Sequence, residues 1–185
     1  MTWSRRPSRT YFGVACSSGE RPQSAIALVV VHQTQGGTAK PPSAKNAASY
    51  LKGRPDGSAH LVIDAEEAYR LASDTTICCG VRDYNTPTLH VEMTGKSSWS
   101  ALKWALPSRR KMVDHCAYRV ARWLKRYGLQ TKWRSTKDLD AGRVRGITSH
   151  AALTYSRLST STHTDPGLGF PRRWFMRRVS YWLDQ

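Results

Sequence analysis

An α/β layered domain is the fold class that this sequence predicts, and three stretches predict it. Residues 25–31, Ala-Ile-Ala-Leu-Val-Val-Val, form an unbroken apolar, β-branched run of strand length. That is the pattern of a strand buried on both faces. Thr88-Leu-His-Val-Glu-Met93 alternates, with Leu89, Val91 and Met93 on one face and His90 and Glu92 on the other. Residues 111–127 carry Val113, Cys116, Val120, Trp123, Leu124 and Tyr127 at helical spacing, with Arg119, Arg122, Lys125 and Arg126 largely outside that stripe. Strands interspersed with helices in one chain make layers around a shared core.

The elements follow in order. Residues 1–24 are polar, basic and rich in Ser, Arg and Pro, and read as a basic N-terminal extension to a domain over 25–185. The first strand ends in His32, and Gln-Thr-Gln-Gly-Gly after it signals a loop. Ala44, Ala47, Ala48 and Leu51 give helical spacing over 43–51, with Pro42 near the start and Gly53 past the end. After a turn at 53–57, residues 59–63 and 68–71 read as two short strands of a hairpin. Gly128 stops the long helix. Residues 130–149 read as a polar, basic stretch without an assigned element, and 174–183 as a short basic amphipathic helix.

Composition narrows the function classes. The chain has 185 residues, 39% of them hydrophobic and 10% aromatic, which places it among globular proteins. Lys and Arg number 29 against 13 Asp and Glu, a formal charge of +16. Such an excess points to a polyanionic partner: nucleic acid, an anionic membrane or a cell-wall polymer. No helix-turn-helix, RRM or zinc-finger pattern supports nucleic acid. The longest apolar run is far too short to cross a bilayer, and no apolar segment follows the basic start, so neither a membrane span nor a Sec signal is expected. Cys16, Cys78, Cys79 and Cys116 contain no C-x-x-C pair. They read as reduced, mostly buried thiols of a protein made in the cytoplasm.

His32, His150 and Asp165 stand out as chemistry-bearing residues. His32 ends the buried strand, His150 opens a loop, and Asp165 precedes a Pro-Gly turn that fixes its backbone. Two histidines and a carboxylate on rigid element ends are the ligand set of an open catalytic zinc site. Singly, each has a plainer reading as a packed or surface residue. His60 and His115 read as structural, the latter as structural or exposed. Trp99, Trp104 and Trp133 read as core more than as sugar-stacking platforms. His90 shares a face with Glu92, which allows it to line a cleft or simply to pack.

The stretches Val29-Val-Val-His32-Gln-Thr34, Ser58-Ala-His60-Leu-Val-Ile-Asp64, Thr88-Leu-His-Val-Glu92-Met, Ser149-His150 and His163-Thr-Asp165-Pro-Gly167, with Phe170-Pro171 following, are in a telling order and spacing. Over about residues 25–183 the chain resembles the type 2 N-acetylmuramoyl-L-alanine amidases, which include phage endolysins, recycling amidases and peptidoglycan recognition proteins. It departs from them in three places. His163 replaces a common Lys, Ile77-Cys-Cys-Gly80 replaces a common Trp-His-Ala-Gly, and His90 replaces a common Gly.

The resemblance implies one domain with a central mixed β-sheet flanked by α-helices. It implies Zn2+ held by His32, His150 and Asp165, and Glu92 as the general base. His163 is expected to stabilise an oxyanion, and its use as the third ligand stays open. Thr34 follows the first ligand, and Tyr84 and Asn85 are expected at the cleft rim, all three as substrate-binding residues. The implied substrate is the amide between N-acetylmuramic acid and L-alanine in bacterial peptidoglycan. The implied setting is a monomeric endolysin held in the host cytoplasm and then acting at the wall, with anionic wall polymers meeting its basic surface. A metal-free, peptidoglycan-binding module of the same fold is the alternative, and a basic nucleic-acid binder is a more remote one.

Overall fold

The computed structural model describes residues 8–10, 13–36 and 43–185. Pro42 and residues 1–7 of the basic extension lie outside them. In chain order the strands are β1 (Arg9–Thr10), β2 (Ser17–Glu20), β3 (Leu28–Gln33), β4 (Leu61–Ile63), β5 (Ala68–Arg70), β6 (Thr76–Cys78), β7 (Thr88–Met93) and β8 (Gly146–Ser149). The helices are α1 (Ala44–Lys52), α2 (Ala101–Trp104), α3 (Pro107–Tyr127), α4 (Thr136–Asp140), α5 (His150–Thr154) and α6 (Arg172–Leu183).

Six strands form the central sheet in the order β1-β5-β4-β7-β3-β8. The run β4-β7-β3-β8 is parallel, and β5 pairs antiparallel to β4. The sheet is therefore mixed, as expected, and the 59–63/68–71 hairpin is present as β4 and β5. All six β3 residues are buried, which is what an unbroken apolar run is for.

Parallel register divides β3 and β7 into two faces. Val29, Val31, Leu89, Val91 and Met93 face the main core, with Val113, Cys116, Val120 and Leu124 of α3 and Phe175 and Val179 of α6. The helix begins four residues before the expected start because Pro107 sits in its first turn. It ends at Gly128, whose φ of 58° is the left-handed cap conformation. Tyr127 turns its hydroxyl to Asp74 Oδ2 (2.6 Å), beside Arg126 and Arg70 on the same buried carboxylate.

The other face carries two smaller clusters. Val62, Tyr69 and Leu71 pack on Ala44 and Ala48 of α1. Leu28 and Val30 pack on Val81, Leu139 and Leu153. Between these clusters lie the polar ends of β3 and β7.

The stretch 130–149 is more ordered than its polarity suggests. It contains α4, with a Ser135–Asp138 capping box, and the fully buried strand β8. The N-terminal segment is also engaged: β2 pairs antiparallel with β6. Arg21 is buried and donates to the carbonyls of Asn85 (3.0 Å), Thr86 (2.6 Å) and Asp74 (2.9 Å).

The cysteine expectation is corrected. Cys16 and Cys79 form a disulfide across 63 residues, while Cys78 and Cys116 are free and buried. Neighbours in a strand point to opposite faces, so Cys78 enters the interior and Cys79 meets the N-terminal segment. Burial pushes the Cys78 thiol up to about 12.

Candidate functional site

The ends of three adjacent parallel strands build the site. In register, His32 of β3 lies opposite Glu92 of β7, and Val31 lies opposite Ser149 of β8. His150 is the first residue past β8 and opens α5, which brings it beside His32. Ser149 ends the strand and caps α5, its side chain accepting from Ala152 N. Clefts beyond the carboxyl ends of parallel strands are the usual ligand sites of such sheets.

Asp165 closes the group from a loop. Its main-chain carbonyl accepts from Ala151 N (3.0 Å), and its Oδ2 accepts from Gln33 N (3.0 Å). These two bonds tie the loop to α5 and to the end of β3. His32 Nδ1 lies 3.0 Å from His150 Nδ1 and 3.4 Å from Asp165 Oδ2, and His150 Nδ1 lies 3.2 Å from Asp165 Oδ1. One atom from each of these buried residues falls within 4.8 Å of the others, as metal ligation requires.

The donor chemistry fits a divalent cation. The outer nitrogen of each imidazole has its own partner: His150 Nε2 meets Ser161 Oγ at 2.6 Å, and His32 Nε2 meets His90 Nδ1 at 3.0 Å. With protons on the outer nitrogens, two bare Nδ1 lone pairs and a carboxylate converge on one point. A cation there converts that repulsion into ligation. Burial raises the Asp165 carboxyl, but the close imidazoles of His150 and His32, which can take up its proton while no cation is present, outweigh that and hold the group well below the usual carboxylate range. Burial, followed by the charge of His150, keeps the His32 imidazole below its ordinary value despite the Asp165 contact.

The site opens into a cleft of about 1310 Å³, lined by His32, Glu92, His150, His163, Asp165 and Arg54 among others. Glu92 Oε2 is buried and has no hydrogen-bond partner among the described residues. Burial and the neighbouring Asp165 charge push its carboxyl well above the ordinary glutamate value, while Arg54 pulls the other way. A carboxylate held ready to gain a proton is suited to general-base work.

The remaining sequence candidates separate. His163 lines the cleft and stacks on His150 (centroids 5.2 Å apart, planes at 14°). Thr34 lines the cleft, and its Oγ1 accepts from Gly95 N (3.2 Å). Asn85 also lines it, but its Oδ1 is committed to Gly80 N (3.0 Å) and Val81 N (2.8 Å). Tyr84 packs against the Leu28–Val30 cluster instead. Trp104 is buried in the main core, with Trp99 and Trp133 packed against it. His60 is fully buried, and His115 is buried with Nδ1 3.1 Å from Asp64 O. His90 does not reach the cleft: it lies wholly buried beneath His32. Ser161 is a site residue that the sequence does not signal, because it is a lone serine in a Ser/Thr-rich loop.

The sequence model of a family described as N-acetylmuramoyl-L-alanine amidase matches residues 22–168. No curated protein matches the chain. Several solved structures share its fold. The Staphylococcus aureus hydrolase AmiA, solved in complex with its ligand, superposes with a TM-score of 0.70 at 18% identity, covering 96% of this chain and 84% of AmiA. PlyL gives 0.64 at 13% identity, covering 94% of this chain and 97% of its own. The catalytic domain of XlyA gives 0.60 at 17%, covering 94% and 99%.

Proposed function

The chain belongs to the N-acetylmuramoyl-L-alanine amidase family, and on that premise we propose that it hydrolyses the amide between N-acetylmuramic acid and L-alanine with Glu92 as general base and Zn2+ held by His32, His150 and Asp165. The buried, unpartnered Oε2 of Glu92 at the edge of the ligand group carries this reading. Zinc, when bound, supplies Lewis acidity that makes water nucleophilic at neutral pH and polarises the scissile carbonyl. Glu92 then takes the proton of the attacking water on its carboxylate and returns it to the leaving amine. The raised carboxyl suits both halves of that transfer. His163, stacked on His150 at the cleft wall, is the residue placed to meet the developing oxyanion. Thr34 and Arg54 line the same cleft and face the stem peptide.

The reading extends to setting. Arg122, Lys125 and Arg126 of α3 and Arg172, Arg173 and Arg177 of α6 are exposed. Both helices cover the sheet face opposite the cleft. These cations serve long-range attraction to anionic wall polymers, leaving the cleft free for peptide. The protein acts as a monomeric endolysin, held in the host cytoplasm and then working at the wall, where the Cys16–Cys79 disulfide closes outside the reducing compartment.

The test is release of L-alanine amino termini from purified peptidoglycan, with metal content measured on the same samples. Chelation abolishes release and Zn2+ restores it. Glu92→Gln lowers turnover about 10²–10⁴-fold while retaining the metal. Undiminished release by Glu92→Gln, or by the metal-free protein, refutes the mechanism.

A further inference from the structure

We propose that His90 is a positioning residue for the metal site, accepting the outer proton of His32 and so holding that ring with its Nδ1 lone pair toward His150 and Asp165. The inference rests on the zinc reading above and adds a residue to it.

Hydrogen-bond polarity carries the argument. Thr88 Oγ1 donates to Asn85 O at 2.8 Å. A hydroxyl has one proton, so toward His90 Nε2, also 2.8 Å away, the same oxygen accepts. His90 Nε2 therefore bears the ring proton, and Nδ1 of the neutral ring is left as an acceptor. That atom lies 3.0 Å from His32 Nε2. His32 must then donate from Nε2, which strips Nδ1 of its proton and leaves a lone pair on the side of His150 and Asp165. The chain from the Asn85 carbonyl through Thr88 and His90 to His32 has one self-consistent direction, and it is the direction a metal ligand needs.

Packing fixes the relay in place. His90 is fully buried, its backbone N–H donates to His60 Nδ1 at 3.0 Å, and its ring stacks on His60 (centroids 5.6 Å apart, planes at 24°). The backbone at Gly80 makes room for it: a Cβ there would lie 2.4 Å from His90 Nδ1. Gly80 and His90 thus form a complementary pair. Glu92, two residues along the same strand, faces the cleft, while His90 faces the back of the ligand.

The experiment compares Zn2+ affinity by chelator competition for the full chain carrying His90→Leu and His90→Asn, with thermal melts of the metal-free proteins as a folding control. His90→Leu lowers affinity about 10–100-fold. His90→Asn places an amide oxygen near the former Nδ1 and restores affinity to within a few-fold. Equal affinity in His90→Leu and wild type, or equal losses in both variants, overturns the proposal. Wild type that takes up no stoichiometric zinc overturns the zinc reading and this inference together. Should His90→Leu not fold, nitrogen-15 NMR of the wild-type zinc protein reads the relay directly. Protons on Nε2 of both His32 and His90 support it, and a proton on His90 Nδ1 overturns it.

Discussion

Reduction of the Cys16–Cys79 disulfide is the perturbation with the most calculable outcome. The bridge spans 63 residues of sequence. Loop-closure entropy for that length gives a stabilisation of about 4 kcal/mol, acting through the unfolded chain. The folded segment keeps its other ties when the bond is cut. Ser58 Oγ still donates to Cys16 O (2.7 Å), Gly13 N to Leu71 O (3.0 Å) and Arg21 N to Thr75 O (2.8 Å), and the β2–β6 pairing remains. The native state therefore stays intact while its margin narrows. For a chain of this size, each kcal/mol corresponds to about 2–4 °C of Tm, so the loss is about 8–16 °C. The assay is thermal unfolding with and without a phosphine reductant, alongside the Cys16→Ser/Cys79→Ser double variant. Alkylation and mass spectrometry establish the thiol count before heating. Cys78 and Cys116, being buried, stay unlabelled until the protein unfolds. A verified reduction that moves Tm by less than about 2 °C refutes the reasoning, as does a double variant that melts with the oxidised wild type.

Other perturbations give equally definite outcomes. Burial, followed by neighbouring cationic charge, holds His60 at about 3 and His115 at about 4 in the folded protein, whereas the unfolded chain takes up these protons from about pH 6.5. Their stability contribution is whole above pH 6.5 and is lost as pH falls toward 4 and then 3, by up to about 1.4 kcal/mol per pH unit for each ring. Urea midpoints of His115→Gln should fall less steeply with acid than wild type, and parallel profiles would count against the assignment. His163→Ala should lower turnover of peptidoglycan about 10²–10³-fold; undiminished turnover removes His163 from oxyanion stabilisation. Raising salt should slow lysis of whole walls far more than cleavage of a soluble muropeptide. Arg122→Gln/Arg173→Gln/Arg177→Gln should reproduce that selectivity at low salt, and equal salt effects on both substrates would sink the delivery role.

Much of this molecule was legible in its residues, for identifiable reasons. β3 and α3 declare themselves because each satisfies one periodicity over its whole length, and His32 and Asp165 stand out because they sit beside punctuating loop and turn residues; the fold brings both together with His150. β8 escaped notice because Gly-Ile-Thr-Ser offers four residues and one large apolar side chain. Its burial comes from neighbours, and Thr148 satisfies its hydroxyl on Arg134 O (2.9 Å). Arg21 looked like part of a solvated arm because charge normally marks surface; three distant carbonyls reverse that. The disulfide was hidden by the rule that adjacent cysteines diverge. The rule holds, and it leaves Cys79 facing the N-terminal segment that carries Cys16. His90 was placed on the correct face, but only tertiary packing shows that Gly80 lets it sink beneath the cleft floor.

The register of β7, β3 and β8 has a consequence for the life history of the protein. Zinc-finger domains wait for their ion before they fold. Here His32 is held by the ladder of β3, and His150 by its place between the end of β8 and the first turn of α5, over a core that needs no ion. On the zinc reading proposed above, folding and metallation are thus separable events: the chain folds without the ion and takes it up afterwards. The same separability makes it a scaffold for ion exchange: stripped by a chelator, it should remain a folded body into which cobalt can be loaded as a spectroscopic reporter.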